Sequence, residues 1–183
     1  MMRWYVLQTR PGEECSAAEK LKLNGYQTML PMTVRKIRSG GVWRDQETLL
    51  IPGYVTVRTA YDAENYYRIK ELSEILRFVG NGAESYLSYT ETEWLRLLSQ
   101  NSPIGPSRIR RLEDGSFEVM DGMLRFFPKG SISIVPRERK AAVRIKLCGE
   151  EKQVVLPVEM EDGADEPQEQ EAGENIKTTK ADG

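Results

Sequence analysis

The hydrophobic pattern of this chain changes its period once, at a Pro/Gly/Ser-rich stretch, Asn101 to Ser107 (NSPIGPS). Before it, short runs of β-branched and aromatic residues alternate with segments that are apolar every three or four positions. After it, only period-two runs remain. The two patterns bury their apolar residues in different geometries, so two units are expected. The first is an α/β (α+β) unit over residues 1–100, an open sheet covered by helices. A linker over 101–112 leads to a small five-stranded all-β barrel over 113–160, a closure that avoids exposed strand edges.

Within the first unit, RWYVLQT (Arg3 to Thr9) reads as a strand. The following segment, with Pro11 and two glutamates, reads as a helix that places Cys15, Ala18 and Leu21 on one face and ends at Asn24-Gly25. QTMLPMTVRKIR and VWRDQETLL read as strands around the tip Ser39 to Gly41. The basic residues near that tip (Arg35, Lys36, Arg38, Arg44) read first as an exposed solubilising group and, second to that, as a weaker candidate for nucleic-acid contact. A second helix is expected from Asp62, with Tyr66, Ile69 and Leu72 inward. EILRFVG follows as a strand ending at Gly80. A third helix has Thr90 and Glu93 in capping-box spacing and presents Trp94, Leu97 and Leu98. In the second unit, SFEVMDG, SISIV, AAVRIKL and QVVLPVEM are strands. Val143, Ile145 and Leu147 point one way and Arg144, Lys146 and Cys148 the other. From Glu161 to Gly183 there is one large apolar residue, Ile176, with 8 acidic and 2 basic residues. Such a segment is expected to be a disordered acidic tail.

One stretch combines signals that seldom meet. In LLIPGYVTVR (residues 49–58), a Pro-Gly pair sits at the mouth of a strand. Local rules make it a turn that starts a strand. It also sets Ile51 and Tyr54 on either side of the bend, where they could present an apolar surface. Alternation likewise turns one of Trp4 and Tyr5 outward, which is costly unless a helix of the same chain or a partner covers it.

The chain has no histidine. That removes the Ser-His and Cys-His nucleophile pairs, the commonest general base and most catalytic zinc sites. GNGAES (Gly80 to Ser85) lacks the ending of a phosphate-binding loop, and no carboxylates fall in metal-binding spacing. No catalytic residue, metal or cofactor is expected, although a pocket assembled from distant residues stays open. The two cysteines, Cys15 and Cys148, lack CxxC spacing, as in a reduced, cytoplasmic protein. No apolar run approaches membrane-spanning length. A soluble monomer away from membranes is expected.

Basic residues cluster in the second half. Arg108, Arg110 and Arg111 follow the linker, Arg137, Arg139 and Lys140 sit at a turn, and Arg144 and Lys146 continue onto the next strand. On one face of a barrel these eight would bind phosphates by ion pairing and counterion release. Glu113, Asp114 and Glu138 interrupt the group, so a solvated face remains the alternative. No aromatic signature for base stacking accompanies it.

Taken in order, RWYVLQT, LLIPGYVTV, FVG and, after the linker, GSFEVMDG with GSISIVPRERKAAVRIKLCGEE resemble the NusG family of transcription elongation factors. The resemblance implies an N-terminal NGN domain that docks on the clamp helices of bacterial RNA polymerase, and a C-terminal KOW barrel that contacts RNA or protein. By position it assigns polymerase binding to Trp4, Tyr5, Ile51, Pro52, Gly53 and Tyr54, with Ile51 where the family usually carries Phe. KLCGE offers Leu147 and Cys148 where the housekeeping member couples to the ribosome through an aromatic, which weakens the case for ribosome contact. IKELSEI lacks the Asn-Thr pair that some members present to non-template DNA, and that partner stays open. YYRIKELSEILRFVG and RKAAVRI are similar to the specialised LoaP-type antiterminators. These act on long operons and recognise a hairpin in the nascent leader RNA. A housekeeping elongation factor is the alternative.

Overall fold

The structure is a computed structural model that describes residues 1–161, without the side chains of Lys36 and Trp43. The expected acidic tail lies, beyond Glu161, outside the described residues.

The first sheet has four strands in the order β2-β5-β1-β6, where β1 is Met2–Thr9, β2 Gln27–Met29, β5 Tyr54–Ala60 and β6 Ile75–Phe78. All its pairings are antiparallel. Because β1 and β5 are central, both of their faces are covered, and Tyr5, Val6 and Leu7 are all buried. On one face, helices α1 (Glu14–Leu23) and α2 (Ala63–Lys70) pack Ala17, Ala18, Leu21 and Ile69 against Tyr5, Leu7, Val55, Val57 and Phe78. The buried positions of α1 follow the i, i+3, i+4, i+7 rule from Glu14. Cys15, expected inside with Ala18, is exposed; Ala17 takes its place.

The opposite face is covered differently. Leu87 and Leu95 lie over Val6 and Met29, and Leu147 of the second unit joins them. Leu95 belongs to α3 (Tyr89–Gln100). Its N-cap is Ser88, not Thr90: the Ser88 hydroxyl accepts from the Glu91 amide, and the Glu91 carboxylate accepts from the Ser88 amide. Both Thr90/Glu93 and Ser88/Glu91 fit the same four-residue signature. The earlier pair is the one that forms, and Glu91 has a further partner across the molecule, described below.

The hairpin of β3 (Met32–Ser39) and β4 (Val42–Leu49) forms a separate two-stranded sheet, because Leu30-Pro31 separates it from β2. The second unit is a curled five-stranded sheet in the order β8-β7-β11-β10-β9. Its strands are β7 (Ser107–Arg111), β8 (Phe117–Val119), β9 (Ile132–Val135), β10 (Lys140–Leu147) and β11 (Glu150–Met160). Val143, Ile145 and Leu147 are buried and Arg144 and Lys146 exposed, as the alternation implies. The sheet begins inside the expected linker, since Ser107–Arg111 is a strand paired in parallel with the end of β11. The rest of that stretch is fastened too. Ile104 is buried and exchanges backbone bonds with β3, its amide donating to Met32 and its carbonyl accepting from Val34.

The two units share their interior. One cluster joins Leu50, Leu98 and Ile104 to the inner face of the second sheet, including Ile109, Val143, Val154 and Leu156. Trp94 of α3 stacks on Phe127 with ring centroids 4.8 Å apart and planes 12° apart. No helix among the described residues is long and apolar enough to cross a membrane.

Candidate functional site

The face of the first sheet that carries Trp4, Val6, Gln8, Tyr54 and Thr56 follows from register: Val6 stands opposite Thr56 and Gln8 opposite Tyr54. The bend before Tyr54 depends on Gly53, whose φ of +85° lies in the left-handed region that glycine enters without a Cβ penalty. Its amide donates to Glu14 Oε1 at 2.7 Å, so the bend is anchored to α1. Pro52 is exposed, and Ile51, Gly53 and Tyr54 are half-buried.

The candidate rim is therefore partly occupied by the chain itself. Trp4, Ile51, Tyr54 and Cys148 all pack on the cluster that Leu147 completes. Lys152 of β11 stands over the Tyr54 ring, 5.6 Å from its centroid. The cover over the outward tryptophan, which sequence alone left open, is the segment before α3 together with the β10–β11 turn. Leu87 donates its amide to the Trp4 carbonyl at 2.8 Å.

Tyr5 does not belong to this rim. It is 3 % exposed on the other face, among Tyr61 and Phe78, and its hydroxyl donates to the Ala83 carbonyl at 3.0 Å. Period-two alternation allows only one of two adjacent aromatics on each face, and Trp4 is the one on the rim side. Burial pushes the Tyr5 hydroxyl's pKa upward.

A single carboxylate ties the second sheet to this face. Glu91, 8 % exposed, caps α3 and also accepts from the Gly149 amide at 2.8 Å through Oε1. Burial works against its charged form, but the hydrogen bonds from Gly149 and Ser88 outweigh it and hold the carboxyl below its usual range. Beside it, burial and the nearby Glu91 and Glu150 carboxylates push the Cys148 thiol up to about 11. Sequence rules set the capping box two residues too late, at Thr90/Glu93, and had no means to find the Gly149 contact, which spans 58 positions.

The eight basic residues of the second unit do not form one unopposed patch. Arg108 is paired with Asp121, Arg110 with Glu118 at 2.7 Å, Lys140 with Glu138, and Arg144 with Glu151 at 3.4 Å. Along β11, Arg108 lies opposite Glu159 and Arg144 opposite Gln153. Six residues of strand separate those positions, roughly 20 Å. Lys140, opposite Pro157, is near the Arg108 end, with Arg137 and Arg139 on the turn before it. Arg144 and Lys146 continue away from it. Arg111 is exposed.

Residues 2–97, just over half of the chain, match the model of the family described as NusG, transcription termination factor nusG. The chain belongs to the NusG family. It is 28 % identical over 142 residues to the transcription termination/antitermination protein NusG of Buchnera aphidicola, covering 67 % of this chain and 78 % of that one. It is 26 % identical over 172 residues to NusG of Pasteurella multocida, covering 87 % and 91 %. A solved structure described as domain interaction in Thermotoga maritima NusG covers 86 % of this chain and 94 % of its own, with 22 % identity and a TM-score of 0.47. NusG-family membership and the mixed sheets with three helices agree with the expected NGN fold, followed by a curled sheet consistent with a KOW domain. Among the described residues no group of three or more Cys, Asp and Glu is placed to hold a metal ion.

Proposed function

We propose that this chain is a non-enzymatic, cytoplasmic transcription factor that binds RNA polymerase through the rim of Trp4, Ile51, Pro52 and Tyr54. It promotes processive elongation of specific operons, and its second unit contacts RNA. The observation that carries this reading is the Gly53-dependent bend that holds an apolar rim at the start of the central strand β5, within a chain of the NusG family. In this conformation the β10–β11 turn lies on the rim, so polymerase engages it as the second sheet lifts away. Leu147, 3 % exposed, is buried against the first sheet, which favours a specialised factor over one that offers this strand to a ribosome.

The test is retention of the full chain on immobilised RNA polymerase. Tyr54→Ala and Ile51→Ala should lose retention, with circular dichroism confirming the fold. Trp94→Ala, which removes the stack on Phe127 and loosens the second sheet, should gain it. Wild-type retention by both rim variants would place polymerase binding elsewhere.

A further inference from the structure

A groove of about 590 Å³ runs between the β3–β4 hairpin and the second sheet. Its charged lining comes from two distant parts of the sequence: Arg35 and Arg38 on β3, and Arg137, Glu138, Arg139 and Lys140 at the turn into β10. Among the described residues, five cations and one carboxylate line the groove, and that carboxylate is paired with Lys140. Asp45, Glu47 and Glu159 stand on the neighbouring strands but outside the lining. The floor is apolar, built from Ile37, Leu50 and Val155. At its far wall Arg139 holds a φ of +50°, a left-handed conformation uncommon for a residue with a Cβ. Its carbonyl accepts from Val158 and its amide donates to Pro136, which fixes this turn against β11.

We infer that this groove is a binding site for the phosphodiester backbone of a nucleic acid, and that it is complete only while the second sheet is seated on the first unit. Among the described residues no aromatic side chain lines it, and the charge that these residues offer suits a phosphate backbone. The hairpin arginines, the weaker of the sequence's nucleic-acid candidates, form one wall of the site. Because its two walls belong to different units, the ligand binds the seated arrangement better than the separated one. By linkage it must then stabilise the seated arrangement by the same factor. The proposal rests on the reading that the second unit contacts RNA, and it adds the site and its coupling to the rim.

The experiment uses the full chain with three fluorescent probes: an RNA hairpin, a single-stranded RNA and a DNA duplex of equal length. Arg35→Ala with Arg38→Ala should weaken the preferred probe at least about tenfold at low salt. It should also lower the slope of log affinity against log salt by roughly 1.5, since each lost phosphate contact removes about 0.7 to 0.9. The second readout is thiol labelling of Cys148. That residue lies at the opposite end of β10 from Lys140, eight positions or about 26 Å away, too far for direct shielding. Saturating probe should slow its labelling at least about threefold in the wild-type chain and leave the double variant unchanged. If the hairpin variant binds normally while Arg108→Ala, Arg110→Ala, Arg144→Ala and Lys146→Ala together abolish binding, the groove is refuted and RNA contact by the second unit survives. If binding depends on Arg35 and Arg38 but Cys148 labelling does not slow, the coupling is refuted. Absence of binding by every probe would overturn both the groove and the RNA reading.

Discussion

Removing the Glu91 carboxylate should reveal how firmly the two sheets are held together. Its side chain accepts from the Ser88 amide at 2.9 Å, the Ser88 hydroxyl at 2.8 Å and the Gly149 amide at 2.8 Å. The first two are local to the helix end, and only the third crosses between units. Ser88→Ala removes local cap bonds and is expected to cost about 1 kcal/mol. Glu91→Ala removes the carboxylate's share of the cap and a charge-assisted bond across the interface, itself worth about 1.5 to 3 kcal/mol. The interface bond therefore makes the Glu91 variant the more destabilised of the two by roughly 1 to 2 kcal/mol, or about 2 to 8 °C in melting temperature for a chain of this size. Thermal unfolding of both variants measures the difference. Labelling of Cys148 measures where it acts: the rate should rise at least about threefold in Glu91→Ala and stay near wild type in Ser88→Ala, because about 1 kcal/mol shifts an opening equilibrium roughly fivefold. Equal melting temperatures together with equal labelling rates would refute the assignment of Glu91 as the tie between sheets.

Further outcomes are expected from other parts of the fold. Glu74 accepts from Lys20, which with the other hydrogen bonds there holds its carboxyl at about 2 instead of the usual 4.5. A folded value below the unfolded one gives stability that is complete above about 4.5 and lost as the pH falls toward 2. Glu74→Gln should flatten that acid limb in a pH series of melting temperatures. At Gly53 a Cβ would meet nothing within 4 Å, so Gly53→Ala should cost only backbone strain, about 1 to 2 kcal/mol. At Gly122 a Cβ would lie 2.6 Å from the Ser107 Cα, so Gly122→Ala should be the far more damaging of the two in urea unfolding. Without any mutation, Cys15, which is exposed, should label before Cys148, whose thiol resists ionisation; mass spectrometry of partly labelled protein resolves the order.

Much of the fold was legible because it is local. The period of WYVL and YVTV, the cap at Asp62 and the alternation of β10 each follow from neighbouring residues. Ser88 shows the limit of such rules: two equivalent signatures stand two residues apart, and spacing alone does not choose between them. Tyr5 shows another. Alternation said that one of the two aromatics faces out, but only the packing of α1 and α2 told which face was which. Trp4, Ile51 and Tyr54 come together in one cluster while Tyr5 faces the other way, and their cover includes Leu147 and Cys148, far along the chain. The groove was least legible: both basic groups stand out in the sequence, but nothing local brings Arg35 and Arg137 to one site until the hairpin and the second sheet are side by side.

Ile51 packs on both the cluster beneath the second sheet and the cluster beneath the rim. A side chain with neighbours in two cores cannot drift alone. A phenylalanine at this position would add ring volume to a site already filled from two directions, at a cost of about 1 to 3 kcal/mol. Relief would come most directly from the second sheet moving off. The isoleucine therefore sets how willingly the molecule stays shut, and lineages that exchange it for a larger residue should show compensating reductions around Leu147 and Val154.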